Sequence, residues 1–222
     1  MRLGALLRGL VRYGALALIV NVLPVWLAVA AAEPLRILAL GDSLTAGYGV
    51  APGDAFPDQL QRALRAEGRD VTVINAGVSG DTSAGGRARL DWALADRPAV
   101  AIVELGANDG LRGLDVAQME RNLDDILARL NRAGVRVLLT GMRAPPNFGA
   151  EYASAFDAAY PRLAQRHGVA LYPFFLEGVA RDPRLNQPDG LHPTRDGVAE
   201  IVRRILPAVR GVLPAPKTGG TG

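Results

Sequence analysis

Five short apolar runs, each followed by a stretch with a different periodicity, constrain this chain more than any other feature. The runs are Arg36–Leu40, Val71–Asn75, Ala99–Leu105, Val135–Thr140 and Val169–Leu171, and they read as buried strands. The intervening stretches carry helical spacing. Phe56–Glu67 sets Leu60 and Leu64 on one face, and Gly86–Asp96 carries Leu90 and Leu94. Val116–Ala133 repeats Met119, Leu123, Ile126, Leu127 and Leu130 at three- and four-residue steps. Tyr152–His167 and Thr194–Val209 complete the set. Gly68, Gly134 and Gly168 each stand between a helix and the next strand, where a left-handed residue stops the helix. Strand and helix in repeated alternation predict a parallel sheet with right-handed crossovers. The fold class is α/β, a three-layer α/β/α sandwich around a five-stranded parallel sheet.

The ends of the chain read differently. Residues 1–32 open with Arg2, Arg8 and Arg12, run uncharged from Tyr13 to Ala32, and close on Ala30-Ala31-Ala32 before Glu33. This is the pattern of a secretory signal peptide. An uncleaved anchor is the alternative, because the uncharged run nears the ~20 residues that span a bilayer. Asn21 and Pro24 interrupt the run and favour cleavage. The protein is therefore expected to be periplasmic or secreted, with one domain over residues 33–213. The Pro-, Gly- and Thr-rich tail 214–222 is expected to be disordered.

Charge follows the leader. The chain has 25 basic and 22 acidic residues, and the leader holds three arginines and no acid. The remaining 190 residues are thus formally neutral, which gives no support for nucleic-acid binding. There is no cysteine, hence no thiol nucleophile and no thiolate metal site. Two histidines and no H-E-x-x-H leave little for a zinc site. No metal or cofactor is expected.

Ser43 lies in Leu40-Gly41-Asp42-Ser43-Leu44-Thr45-Ala46-Gly47, at the carboxyl end of the first strand, where open α/β sheets place their ligands. The next helix is expected to begin near Asp54. A serine hydroxyl needs a base, and the base needs an orienter. His192 falls on the same rim, just before the last helix, and Asp189 three residues earlier can reach its Nδ1–H around a tight turn. His167 sits in the last turn of a helix, where partial positive charge suits the dipole, and reads as structural. An oxyanion needs fixed donors. Two further strand ends offer them: Asn75-Ala76-Gly77-Val78-Ser79-Gly80-Asp81-Thr82 and Gly106-Ala107-Asn108-Asp109-Gly110. The residues alone do not choose between Gly77 and Gly80. Asp42, Asp81, Thr82 and Asp109 read as supports for their turns.

Four stretches in order resemble the GDSL, or SGNH, hydrolases, in their bacterial thioesterase I/lysophospholipase/arylesterase branch. They are Gly41–Tyr48, Ser79–Ser83, Val103–Gly113 and Asp189–Pro193. The resemblance implies the flavodoxin-like SGNH fold, with Ser43 as nucleophile, His192 as base and Asp189 as its orienter. It implies an oxyanion hole of the Ser43 N–H, the Gly80 N–H and the Asn108 side chain. It also implies substrate contacts at Asp109, Gly110 and Leu111, and at Pro145, Pro146 and Phe148 in a rim segment similar to one that lines the acyl site. Members of this branch are exported, need no metal and hydrolyse acyl thioesters, aryl esters and lysophospholipids. The expected partner is a small acyl ester or thioester, membrane lipid included as substrate, and the expected state is a monomer.

Two other readings remain at this level. The same site could deacetylate an envelope polysaccharide, but the rim residues Met142, Pro145, Pro146, Phe148, Phe174, Phe175 and Leu176 are mostly apolar and suit an acyl chain better. A nucleotide-binding module is the non-enzymatic alternative. Gly41–Gly47 has neither G-x-G-x-x-G spacing nor a P-loop lysine, which weakens it.

Overall fold

The computed structural model describes residues 33–215. The leader read over residues 1–32 and residues 216–222 of the tail lie outside the described residues. Strand β1 (Leu35–Gly41) leads into a one-turn helix α1 (Ser43–Ala46) and then α2 (Phe56–Ala66). After β2 (Val71–Gly77) come two short helices, α3 (Ser83–Ala88) and α4 (Leu90–Leu94). After β3 (Val100–Glu104) come α5 (Ala107–Leu111) and α6 (Val116–Arg132). Strand β4 (Arg136–Thr140), helix α7 (Ala150–His167), β5 (Ala170–Tyr172) and α8 (Arg195–Val212) complete the chain.

The sheet is parallel throughout, in the order β2-β1-β3-β4-β5. The central strand β3 is buried at all five positions, as a strand covered on both faces must be. Helices α2 and α8 pack together, and α6 packs between α3 and α7, which gives the two helical layers. Leu60 and Leu64 of α2, and Leu123, Ile126, Leu127 and Leu130 of α6, are fully buried, so the apolar stripes read from the sequence are the core faces. The stop glycines take left-handed φ values of 78° at Gly68, 71° at Gly134 and 62° at Gly168.

The strand order fixes where a site can form. From β1 the chain moves outward to β2, and it then returns to lay β3 on the other side of β1. The crossovers on either side of β1 diverge, and they leave a crevice at the carboxyl ends of β1 and β3. Ser43 follows β1 and Asn108 follows β3.

Two stretches differ from expectation. The helix expected over Gly86–Asp96 starts at Ser83, where Thr82 Oγ1 accepts from Gly85 N at 3.4 Å. It breaks at Arg89, whose guanidinium turns back to bond Ala76 O at 2.7 Å and Gly41 O at 2.9 Å. The four-residue helix at Ser43 is too short to leave a periodic signal. Near the end of the described residues, Pro214 O accepts from Arg69 Nη2 at 2.6 Å.

Leu123 is wholly buried on α6, outside every stretch read for the site. Leu123→Ala should cost about 2–5 kcal/mol of stability. Urea denaturation would show the loss, and the turnover of the folded protein should stay near that of the parent.

Candidate active site

The site is built from loops that follow all five strands. Asp42 closes β1 and caps α1, where its Oδ1 accepts from Leu44 N at 3.0 Å. That turn carries Ser43 at the first helical position. His192 comes from the loop before α8, and its Nε2 lies 2.9 Å from Ser43 Oγ. Its Nδ1 lies 2.7 Å from Asp189 Oδ2. Asp189 Oδ1 also accepts from the backbone N–H groups of Leu191 at 2.9 Å and His192 at 3.0 Å. The backbone bond from His192, the ring bond from His192 and the backbone bond from Leu191 together pull the Asp189 carboxyl down to about 2. An anionic Asp189 makes Nδ1 the ring donor. The free lone pair then sits on Nε2, facing the serine hydroxyl.

The His192 loop is tied to the serine loop. Gln187 N donates to His192 O at 2.7 Å, and Gln187 Nε2 donates to Tyr48 O at 2.8 Å and Pro193 O at 3.0 Å. The Tyr48 ring lies 4.5 Å from the His192 ring, centroid to centroid. Buried Asn186 donates to Val179 O at 2.6 Å and Asp182 O at 2.9 Å, and so folds the long segment before His192 onto itself.

Asn108 lies at the carboxyl end of β3. Its Nδ2 donates to Asp42 Oδ2 at 3.0 Å and to Asp81 O at 2.9 Å, so both amide hydrogens have acceptors and the side chain cannot rotate freely. An oxyanion here would share one of these hydrogens. Gly80 lies on the β2 loop, held by Arg112 Nη2 on its carbonyl at 2.9 Å. The N–H groups of Ser43 and Gly80 make no hydrogen bond within the described residues. Two free N–H donors and a fixed amide on adjacent strand ends are the kind of donors that an oxyanion hole needs.

A cleft of about 680 Å³ opens over Ser43 and His192, and Leu111, Pro145, Pro146 and Leu191 line it. Asp109, Gly110 and Phe148, expected to touch substrate, do not line it. The buried Asp109 carboxylate bonds Ser83 N at 2.8 Å and Ser83 Oγ at 2.6 Å, so it supports the next loop rather than the cleft. Gly110 packs against Phe156, and the Phe148 ring sits over Gly113 and Tyr152. His167 bonds Asp124 of α6 at 2.8 Å and is remote from Ser43 in the fold.

Sequence reasoning missed Arg89 and Glu104. Arg89 grips Gly41 O, Ala76 O and the Asp81 carboxylate, the last at 2.6 Å, and so clamps two strand ends. Glu104 is fully buried at the end of β3, and its Oε2 accepts from Asp42 N at 3.2 Å and Thr45 Oγ1 at 2.8 Å. A charged residue ending an otherwise apolar strand was the available signal for Glu104.

The fold and this geometry define a hydrolase of the serine type. Residues 39–199 match the model of the GDSL-like lipase/acylhydrolase family. The chain is 42% identical over 185 residues to esterase TesA of Pseudomonas aeruginosa, across 83% of this chain and 91% of that protein. It is 44% identical over 167 residues to thioesterase 1/protease 1/lysophospholipase L1 of Escherichia coli K12, across 75% of this chain and 79% of that one. Among solved structures, that of TesA superposes with a TM-score of 0.77 at 41% identity, covering 80% of this chain and 99% of that one. The SGNH-hydrolase family esterase AlinE4 gives 0.70 at 50% identity, covering 84% of this chain and all of that one. The chain belongs to the GDSL-like lipase/acylhydrolase family.

Removing the Asn108 amide should leave binding largely intact while lowering kcat by about two to three decades. Asn108→Ala assayed under saturating ester would show this; parental kcat would remove Asn108 from the oxyanion hole.

Proposed function

We propose that the protein is an exported esterase and thioesterase that acts on substrates with an apolar acyl chain, lysophospholipids among them. The observation that carries this is the hydrogen-bonded chain from Ser43 through His192 to Asp189, opening into an apolar cleft. His192 Nε2 takes the Ser43 proton as Oγ attacks the acyl carbon. The carbonyl oxygen becomes an oxyanion held by the N–H groups of Ser43 and Gly80 and by Asn108. His192 returns the proton to the leaving alkoxide or thiolate, and a bond between Ser43 Oγ and the acyl carbon remains. Water then enters by the same route, His192 takes its proton, and the released acid restores Ser43.

The surface around the cleft supports an acyl-lipid substrate over an acetylated sugar. Seven large apolar side chains are exposed among the described residues. Six of them, Tyr48, Val78, Leu111, Leu114, Phe148 and Leu191, follow strand carboxyl ends on the rim that carries Ser43. Leu111 and Leu191 of this set line the cleft itself, and apolar exposure there suits contact with aliphatic chains. Arg143 and Arg181 also line the cleft and favour leaving groups that carry phosphate.

A p-nitrophenyl ester series from acetate to palmitate should show kcat/KM rising beyond acetate. Arg181→Ala should raise KM for an acyl-CoA or a lysophospholipid at least several-fold while leaving that for the neutral aryl ester unchanged. Preference for acetyl esters, with release of acetate from acetylated glycan, would instead favour a carbohydrate esterase. Export rests on the reading of residues 1–32, and appearance of the activity in the periplasmic fraction of a bacterial host would support it.

A further inference from the structure

Glu104 Oε1 is the one buried side-chain polar atom among the described residues without a hydrogen-bond partner. It lies directly beneath the serine turn. The other carboxyl oxygen, Oε2, already accepts from Asp42 N and Thr45 Oγ1. The bond from Asp42 N to Oε2 sets the Glu104 carboxyl beside Asp42, whose charge adds to burial in pushing it up, and the Asp42 carboxylate accepts from Leu44 N and from Asn108 Nδ2. Two anionic carboxylates cannot share such a place without a counter-charge. No arginine or lysine among the described residues pairs with either of them. The guanidinium of Arg89, on the neighbouring strand ends, is spent on Gly41 O, Ala76 O and Asp81.

We propose that Glu104 is a positioning residue for the oxyanion hole: it keeps a proton on Oε1 and donates it to the Asp42 carboxylate, so that the pair carries one negative charge and holds Asn108 and the Ser43 turn. The role assigned to Asn108 rests on the function proposed above. The proton satisfies the orphaned oxygen and leaves Oε2 free to accept. It also draws density from Asp42, which lets Asn108 share a hydrogen with a developing oxyanion instead of holding it fully on Asp42. Gly41 completes the arrangement, because a Cβ there would lie 2.1 Å from Thr45 Oγ1 and 2.5 Å from Glu104 Oε2. Burial is the main cause that raises both carboxyls, Asp42 to about 6 and Glu104 well above its ordinary value. The other groups facing the pair are His192, which favours the Asp42 anion, and Tyr160 of α7, whose buried hydroxyl donates to Leu105 O at 3.0 Å. Asp109 is turned to Ser83.

Glu104→Gln mimics the proposed state, since its amide oxygen can accept from Asp42 N and Thr45 while its NH₂ donates to Asp42. This variant should keep kcat within about threefold of the parent, whereas Glu104→Ala should lose at least tenfold or fail to fold. Two readouts need no substrate and stand whatever Ser43 does. Infrared difference spectra of parent against Glu104→Gln at pH 7 to 8 should show the carbonyl stretch of a protonated carboxyl in the parent only. Stability should also diverge with pH. A raised folded pKa gives full stability below the ordinary value of 4.5 and loses it as pH climbs toward the folded value. The folding equilibrium of Glu104→Gln should therefore gain on the parent by up to about tenfold per pH unit above that point. Absence of the infrared band, a pH-independent stability difference, or a Glu104→Gln kcat as low as that of Asn108→Ala would overturn the proposal.

Discussion

Because all five strands run parallel, every strand delivers its following loop to one rim. Ser43, Gly80, Asn108 and the Pro145-Pro146 segment come from four successive strand ends, and His192 arrives after the fifth. Residues separated by up to 149 positions meet at 2.9 Å on that account. The reversal of strand order at β1 then opens the crevice that the cleft occupies.

Parallel strands bring the loops together but do not align them, and alignment falls to buried polar groups. Arg89 binds the ends of β1 and β2 and the Asp81 carboxylate. Asn108 binds Asp42 and the Asp81 carbonyl, which couples the ends of β1, β2 and β3. Asp109 fixes the start of α3 through Ser83, whose hydroxyl also accepts from Asn122 of α6 at 3.0 Å. Gln187 joins the His192 loop to Tyr48. Each link is satisfied at both ends, the condition under which a buried polar network rigidifies a site rather than weakening it.

Much of this was legible in the residues. The apolar runs and the three- and four-residue spacing gave the strands, the long helices and the layer order, because those signals come directly from burial. The serine, the D-x-x-H turn and the asparagine could be placed on one rim from strand ends alone. The choice of Gly80 over Gly77 could not; it needed the family resemblance. Short helices such as Ser43–Ala46 stayed hidden, since one turn has no period. Asp109 and Phe148 were expected at the substrate, but a sequence does not say which way a side chain turns: Asp109 faces Ser83, and Phe148 faces Gly113 and Tyr152. Arg89 and Glu104 act through contacts far away in sequence; the one local sign of Glu104 is a charge ending an apolar strand, and Arg89 has none.

The central claim is that Ser43 forms the covalent acyl intermediate. A fluorophosphonate ester, which forms a stable tetrahedral adduct with an activated serine hydroxyl, tests it most directly when the labelled peptide is mapped by mass spectrometry. The account predicts one adduct per chain, on Ser43, formed in step with loss of esterase activity and slowed by decades in His192→Ala. Full inhibition with the adduct on another residue, or no adduct while ester hydrolysis continues, would contradict it.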